Sequence, residues 1–83
     1  MAKRDSTELK RLFGENLKRL RKSKGYSLLD VDYRCELNES NISKIENGKS
    51  DIQLSTIIEL AKGLGVHPKQ LFDFDFGEYL VLD

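Results

Sequence analysis

Apolar and polar positions along this chain follow two periods, and the helical one dominates. Between Thr7 and Lys24, Leu9, Leu12, Phe13, Leu17 and Leu20 recur at every third or fourth residue. That spacing puts them on one stripe of an α-helix. Ser6 stands at its N-cap, and Gly25 ends it after a basic last turn, "RKSKG", which suits the helix dipole. Gly14 inside the helix costs about 1 kcal/mol relative to Ala; close packing against another helix is the expected reason. A second helix opens at Ser27, with Asp30 placed as the acidic member of a capping box. It runs to about Cys35, with Val31 and Cys35 facing inward. "ELN" (36–38) is a short connection without glycine. Asn38 caps a third helix that ends at Asn47–Gly48. Leu54 to Leu64 is a fourth, with Leu54, Ile57, Leu60, Ala61 and Leu64 on one face and Gly65 at its end. His67–Pro68 opens a short fifth, in which Leu71 and Phe72 plug the core. The period then changes to two. Phe72, Phe74 and Phe76 fall on one side, Asp73 and Asp75 on the other, and "YLVL" favours a strand.

The third helix has an unusual outer side. In "NESNISKIENGKSD" (38–51), Ile42 and Ile45 anchor one face. Asn38, Glu39, Ser40, Asn41 and Lys44 point elsewhere. Two short helices joined by a tight turn, the second polar outside, make a helix-turn-helix. A B-DNA major groove is about 12 Å wide and admits one helix, and its base edges present donors and acceptors. A helix that reads them needs amides, hydroxyls and a flexible cation near its N-terminal end. The open N-terminus of such a helix also favours phosphate.

Composition narrows the alternatives. Eighty-three residues form one small domain, and a chain of this size buries only ~60% of its unfolded surface. One cysteine, Cys35, forms no intrachain disulfide, so a reduced cytoplasmic setting is expected. No apolar run reaches the ~20 residues of a membrane span, and "MAKRDSTELK" lacks the apolar stretch of a signal peptide. Net charge is zero, but residues 1–50 hold 12 Lys/Arg against 8 Asp/Glu, and residues 51–83 hold 2 against 6. The asymmetry points to a basic working surface on the first part, or to a solvated helix face followed by an acidic tail. Lys10, Arg11, Lys18, Arg19, Lys22 and Lys24 are read mainly as solvation of helix one, with Arg19 and Lys22 able to graze a DNA backbone.

No metal or cofactor is expected. There is no cysteine or histidine set with zinc spacing, and Asp73, Asp75 and Glu78 lack a calcium loop's glycine spacing. His67 reads as a local cap and Cys35 as a small core residue. No nucleophile has a base partner nearby, so the chain is not expected to be an enzyme.

"LKRLRKSKGYS", "NISKIENGK" and "LSTIIELAKGLGV", in that order, resemble the phage-repressor and Cro-like regulators of the Xre family. The resemblance covers roughly residues 9–72. It implies an all-α, lambda-repressor-like DNA-binding bundle of five helices, with helix three as recognition helix and helix two across the backbone. It places Asn38, Glu39, Ser40 and Lys44 at base edges or nearby phosphates, with Asn41 and Ser43 flanking them. Ser43 is the better fit to a phosphate or helix-support role. Asn47 and Lys49 match phosphate-contacting positions, and Ser27 a backbone contact at the start of helix two. Arg21 and Glu46 match a structural ion pair between helices one and three. Glu39 admits two roles, acceptor from a cytosine amino group or simple first-turn acidity. The chain departs from the family at Leu28, Asp32 and Glu36, where Gln, Ala and a turn Gly are common. Leu28 makes no amide contact, Asp32 is larger than the usual packing residue, and Glu36 lacks glycine's freedom at positive φ.

The expected organisation is an N-terminal arm and helix start (1–8), a helix-turn-helix domain (9–72) and a tail (73–83). Phe74, Phe76, Tyr79, Leu80, Val81 and Leu82 are too apolar to be left exposed. They fold back on the bundle or bury against a second copy, and a homodimer through helix five and the tail is favoured. No ligand domain follows, so no small-molecule ligand is expected. The function read from these residues is a sequence-specific transcriptional regulator, repressing by occupancy, with double-stranded DNA as partner. An antitoxin-like or adaptor module on the same bundle is the alternative.

Overall fold

The computed structural model describes residues 6–77, which form four α-helices and one 3-10 helix. The helices are α1 (Thr7–Ser23), α2 (Leu28–Arg34), α3 (Glu39–Glu46) and α4 (Leu54–Leu64), followed by the 3-10 helix Pro68–Phe72. α3 packs on α1 and α2, α4 packs on α2, and the 3-10 helix closes against α1 and α4. One core joins them: Phe13, Leu17, Val31, Ile42, Ile45, Leu60, Ala61, Leu64 and Leu71. Burying a side chain such as Leu17 or Leu60 contributes about 1.5–3 kcal/mol.

The expected fifth α-helix is corrected to a 3-10 helix. It has five residues, and its bonds run from Gln70 N to His67 O (3.0 Å) and from Asp73 N to Gln70 O (3.3 Å). So short a segment closes three-residue turns but cannot build an α ladder. His67 does cap it, Nδ1 accepting from Lys69 N at 3.1 Å. Three residues per turn also explain why Leu71 and Phe72 part company, since neighbours point about 120° apart. Leu71 is fully buried, whereas Phe72 is 42% exposed and lies tilted against Phe13, ring centroids 5.3 Å apart. Phe72 therefore covers the core and does not plug it.

Leu54 is likewise not inward: it is 76% exposed. α4 meets α2 at Gly63 and the turn after α2 at Glu59, and Leu54 lies at the start of α4 beyond these contacts. Ser6 occupies the N-cap of α1 without a side-chain cap bond. Phe74 and Phe76 are half-buried and stacked on each other, centroids 4.3 Å apart. The expected strand, with Tyr79, Leu80, Val81 and Leu82, lies outside the described residues.

Asn16 docks the 3-10 helix on α1. It is buried, and its Nδ2 donates to the carbonyls of Gln70 (3.0 Å) and Leu71 (2.9 Å), while Arg19 donates to its Oδ1. Nothing in its own stretch of sequence marked it, because both backbone acceptors lie more than fifty residues away.

Candidate nucleic-acid interface

α3 is held from one side only. Ile42 and Ile45 sit in the core, and Asn38, Glu39, Ser40, Asn41 and Lys44 are exposed. The helix therefore presents a polar strip to the outside over its first two turns. Two features fix its height above the bundle. Gly14 lies under its last turn, where a side-chain carbon would stand 2.5 Å from the carbonyl oxygen of Glu46 and nearer still to that of Ile45. No real carbon comes that close, so only glycine lets α1 and α3 approach this far. Beside it, Arg21 grips Glu46 with two bonds, Nε to Oε2 at 2.6 Å and Nη2 to Oε1 at 2.9 Å. Arg21 Nη1 also donates to Tyr26 O at 2.8 Å. The side chains are 10% and 4% exposed, and the bond to Glu46 raises the Arg21 pKa, outweighing burial.

The end of α3 places Lys49. Gly48 takes φ +71°, open to glycine at no steric cost, and the chain doubles back. Gly48 N donates to Ile45 O (3.1 Å) and Lys49 N to Lys44 O (2.9 Å), the pair of bonds of a Schellman motif. Lys49 thus starts from the carbonyl of Lys44. Both lysines are exposed, and neither is tied up in an ion pair among the described residues. Helix one differs: Lys10 pairs with Asp51 (3.4 Å), and Arg11 with Glu8 and Glu15. Asn47 turns back, its Nδ2 donating to Ser43 O at 2.9 Å and reaching Ser43 Oγ at 3.4 Å. Ser43 is half-buried.

Ser27 and Asp30 form the full capping box of α2. Ser27 Oγ accepts from Asp30 N (3.0 Å), and Ser27 N donates to Asp30 Oδ2 (2.8 Å). That backbone bond holds the Asp30 carboxyl below its ordinary range. The Ser27 hydroxyl is used as an acceptor, which leaves its proton for an outside oxygen.

The N-terminus of α3 is less open than the sequence implied. Asn38 Oδ1 accepts from Asn41 N at 2.9 Å, and Asp32 Oδ2 accepts from Glu39 N at 2.8 Å. Two first-turn amides are therefore taken by the chain's own side chains, one of them a carboxylate. Glu36 needs no positive φ, and among the described residues only glycines have one. The bend comes instead from Cys35, extended at φ −151°, ψ −176°. Glu36 N then donates to Glu59 Oε1 at 3.0 Å, which holds the Glu59 carboxyl below its ordinary range. From the sequence Asp32 stands out only as a bulky departure, and Glu59 does not stand out. The signal for Asp32 was a short acceptor seven residues before a helix start; Glu59 left none, being 23 residues from its donor. Cys35 is half-buried, and burial raises its thiol pKa.

Among the described residues, no group of three His, Cys, Asp or Glu side chains is placed to hold a metal ion. No helix there is long and apolar enough to cross a membrane.

A short helix, a tight turn and a second helix with a polar outer strip define a helix-turn-helix unit. The chain belongs to the helix-turn-helix family, which residues 17–71 match, and its relatives are Xre-type regulators. It is 36% identical over 70 residues to the control protein C.BamHI of Bacillus amyloliquefaciens, covering 83% of this chain and 86% of that protein. The crystal structure of the restriction-modification controller protein C.AhdI from Aeromonas hydrophila superposes with a TM-score of 0.79 at 30% identity. That match covers 83% of this chain and all of the other. The controller protein C.Esp1396I, as a tetramer in complex with its natural 35 base-pair operator, superposes with a TM-score of 0.72 at 26% identity, over 83% of this chain and 90% of that one.

Proposed function

We propose that this protein is a sequence-specific DNA-binding transcriptional regulator that reads the major groove with α3. The observation that carries the reading is the outer strip of α3, whose inner face is locked in the core while Glu39, Ser40, Asn41 and Lys44 stand exposed. An α-helix fits the major groove, and the strip has the donors and acceptors to meet base edges. Asn38 keeps its amide NH2 for the same purpose, since only its oxygen is used as a cap. Lys49 and the Ser27 hydroxyl serve phosphates on either side, with Asn47 and Ser43 supporting the end of α3. Phosphate contacts set the register, and the α3 side chains choose the sequence.

The protein acts as a homodimer on paired half-sites about 34 Å apart. The likeness to a controller that sits on its operator as a tetramer supports DNA binding and self-association. Occupancy of a promoter site that excludes polymerase represses transcription. The controller relatives favour control of a restriction-modification system as the biological setting.

Selection from a random duplex pool tests the reading, because it yields the half-site and the spacing together. On the selected duplex, binding falls steeply between about 50 and 200 mM salt. Lys44→Ala weakens binding and relaxes the choice of site, whereas Lys49→Ala weakens selected and scrambled duplexes alike. Equal losses on both duplexes for Lys44→Ala remove its base-reading role. A pool that returns no enriched sequence overturns the reading itself and favours a protein-interaction module.

A further inference from the structure

The turn between α2 and α3 is glycine-free, and its extended Cys35 leaves amides outside the ladder of either helix. These amides are exposed and take either water or a side chain as acceptor, and here two carboxylates serve. Glu59 reaches in from α4 to Glu36 N at 3.0 Å, and Asp32 reaches forward from α2 to Glu39 N at 2.8 Å. Glu39 is the first residue of α3. The recognition strip therefore begins at a residue tied to α2 by one short, charge-assisted bond.

We propose that Asp32, backed by Glu59, is the positioning residue that sets the angle of α3 on α2 and with it the discrimination between DNA sites. This rests on the DNA-reading role of α3. Asp32 is half-buried and has two rotatable side-chain bonds, so its oxygen has little freedom to follow a moving partner. Ser40 and Asn41, which meet base edges, follow directly after the amide it holds. Hydrogen bonds to base edges weaken steeply with misalignment, so play at this end of α3 costs discrimination. The charge of Asp32 acts separately. It lies at the positive end of the helix, near where phosphates pass, and opposes every duplex equally. Discrimination thus follows the hydrogen bond, while overall affinity follows the charge.

Variants separate the two. Wild type, Asp32→Ala and Asp32→Asn are titrated onto the selected and the scrambled duplex, with circular dichroism and thermal melting to confirm folding. Asp32→Ala lowers the selected-to-scrambled affinity ratio by about five- to tenfold, the scale of a lost helix cap. Asp32→Asn keeps an acceptor oxygen, so its ratio stays within about twofold of wild type while both affinities rise together. Glu39→Pro removes the donor instead of the acceptor. Proline suits a first helical position and Asn38 is already extended, so the fold tolerates it. Its ratio falls beyond that of Glu39→Ala. An unchanged ratio in Asp32→Ala, an equal fall in Asp32→Asn, or equal ratios in the two Glu39 variants overturns the proposal. Discrimination absent in the wild type instead defeats the DNA-binding reading, so the two failures are distinct.

Discussion

Arg21, Glu46 and Gly14 show how a few atoms decide where a recognition helix stands. The Arg21 guanidinium and Glu46 carboxylate are nearly enclosed, with both carboxylate oxygens bonded. Removing one partner leaves the other charge buried and unpaired, which costs about 3–5 kcal/mol. Glu46→Ala is thus expected to destabilise by about 3 kcal/mol, the lower end of that range, read as a shift of the urea midpoint at constant slope. Gly14 works by absence. Gly14→Ala forces its new carbon against two carbonyl oxygens of α3, and backbone cannot swing aside as a side chain can. We expect a loss of about 1–3 kcal/mol from overpacking, against the gain of about 1 kcal/mol that Ala would bring to an open helix. A melting temperature that rises in Gly14→Ala would falsify the close approach of α1 and α3.

Carboxylates that accept from backbone amides at the start of α2 and in the turn before α3 titrate with folding. Asp30 is held below its ordinary carboxylate range first by the backbone N–H of Ser27, and Glu59 first by that of Glu36. Folding lowers both pKa values, so each ionised group stabilises the native state fully above its unfolded value. That contribution disappears as pH falls through the lowered native value. Stability should therefore decline on acidification below about pH 4, the unfolded carboxylate range. Asp30→Asn and Glu59→Gln each flatten this acid limb while leaving the neutral-to-alkaline side unchanged in slope. Denaturant melts across pH check it, and an acid limb as steep in the double variant as in wild type rules these two groups out as its source.

At the scale of the whole molecule, large apolar side chains stand exposed among the described residues. Leu54 and Ile58 lie one turn apart on α4 and are exposed, as is Phe72. Phe72 also lines a groove of about 230 Å³, together with residues that include Leu9, Phe13, Ile57 and Phe76. Exposed apolar side chains in this number suit the self-association proposed above. Phe72→Asp should raise the dimer dissociation constant at least about tenfold, the effect of a 1.4 kcal/mol loss, as sedimentation equilibrium would record. Binding to paired half-sites should fall further than binding to one, because the second half-site is then no longer held at high effective concentration. An unchanged dissociation constant removes Phe72 from the interface.

The sequence alone determined the four α-helices, the capping box at Ser27, the chain reversal at Gly48 and the polar outer strip of α3. These are short-range matters: side-chain period, caps within three residues and φ preferences. It also suggested the ion pair of Arg21 with Glu46 and the close packing at Gly14, the first only through likeness to a family. Tertiary structure alone decided that Phe72 covers the core, that Leu54 lies beyond its neighbour, and that the fifth helix is a 3-10 turn docked by Asn16. It alone tied the turn of the helix-turn-helix to Asp32 and Glu59. Each of these depends on where a distant segment ends or which backbone group a neighbour leaves unsatisfied, and no local period encodes that.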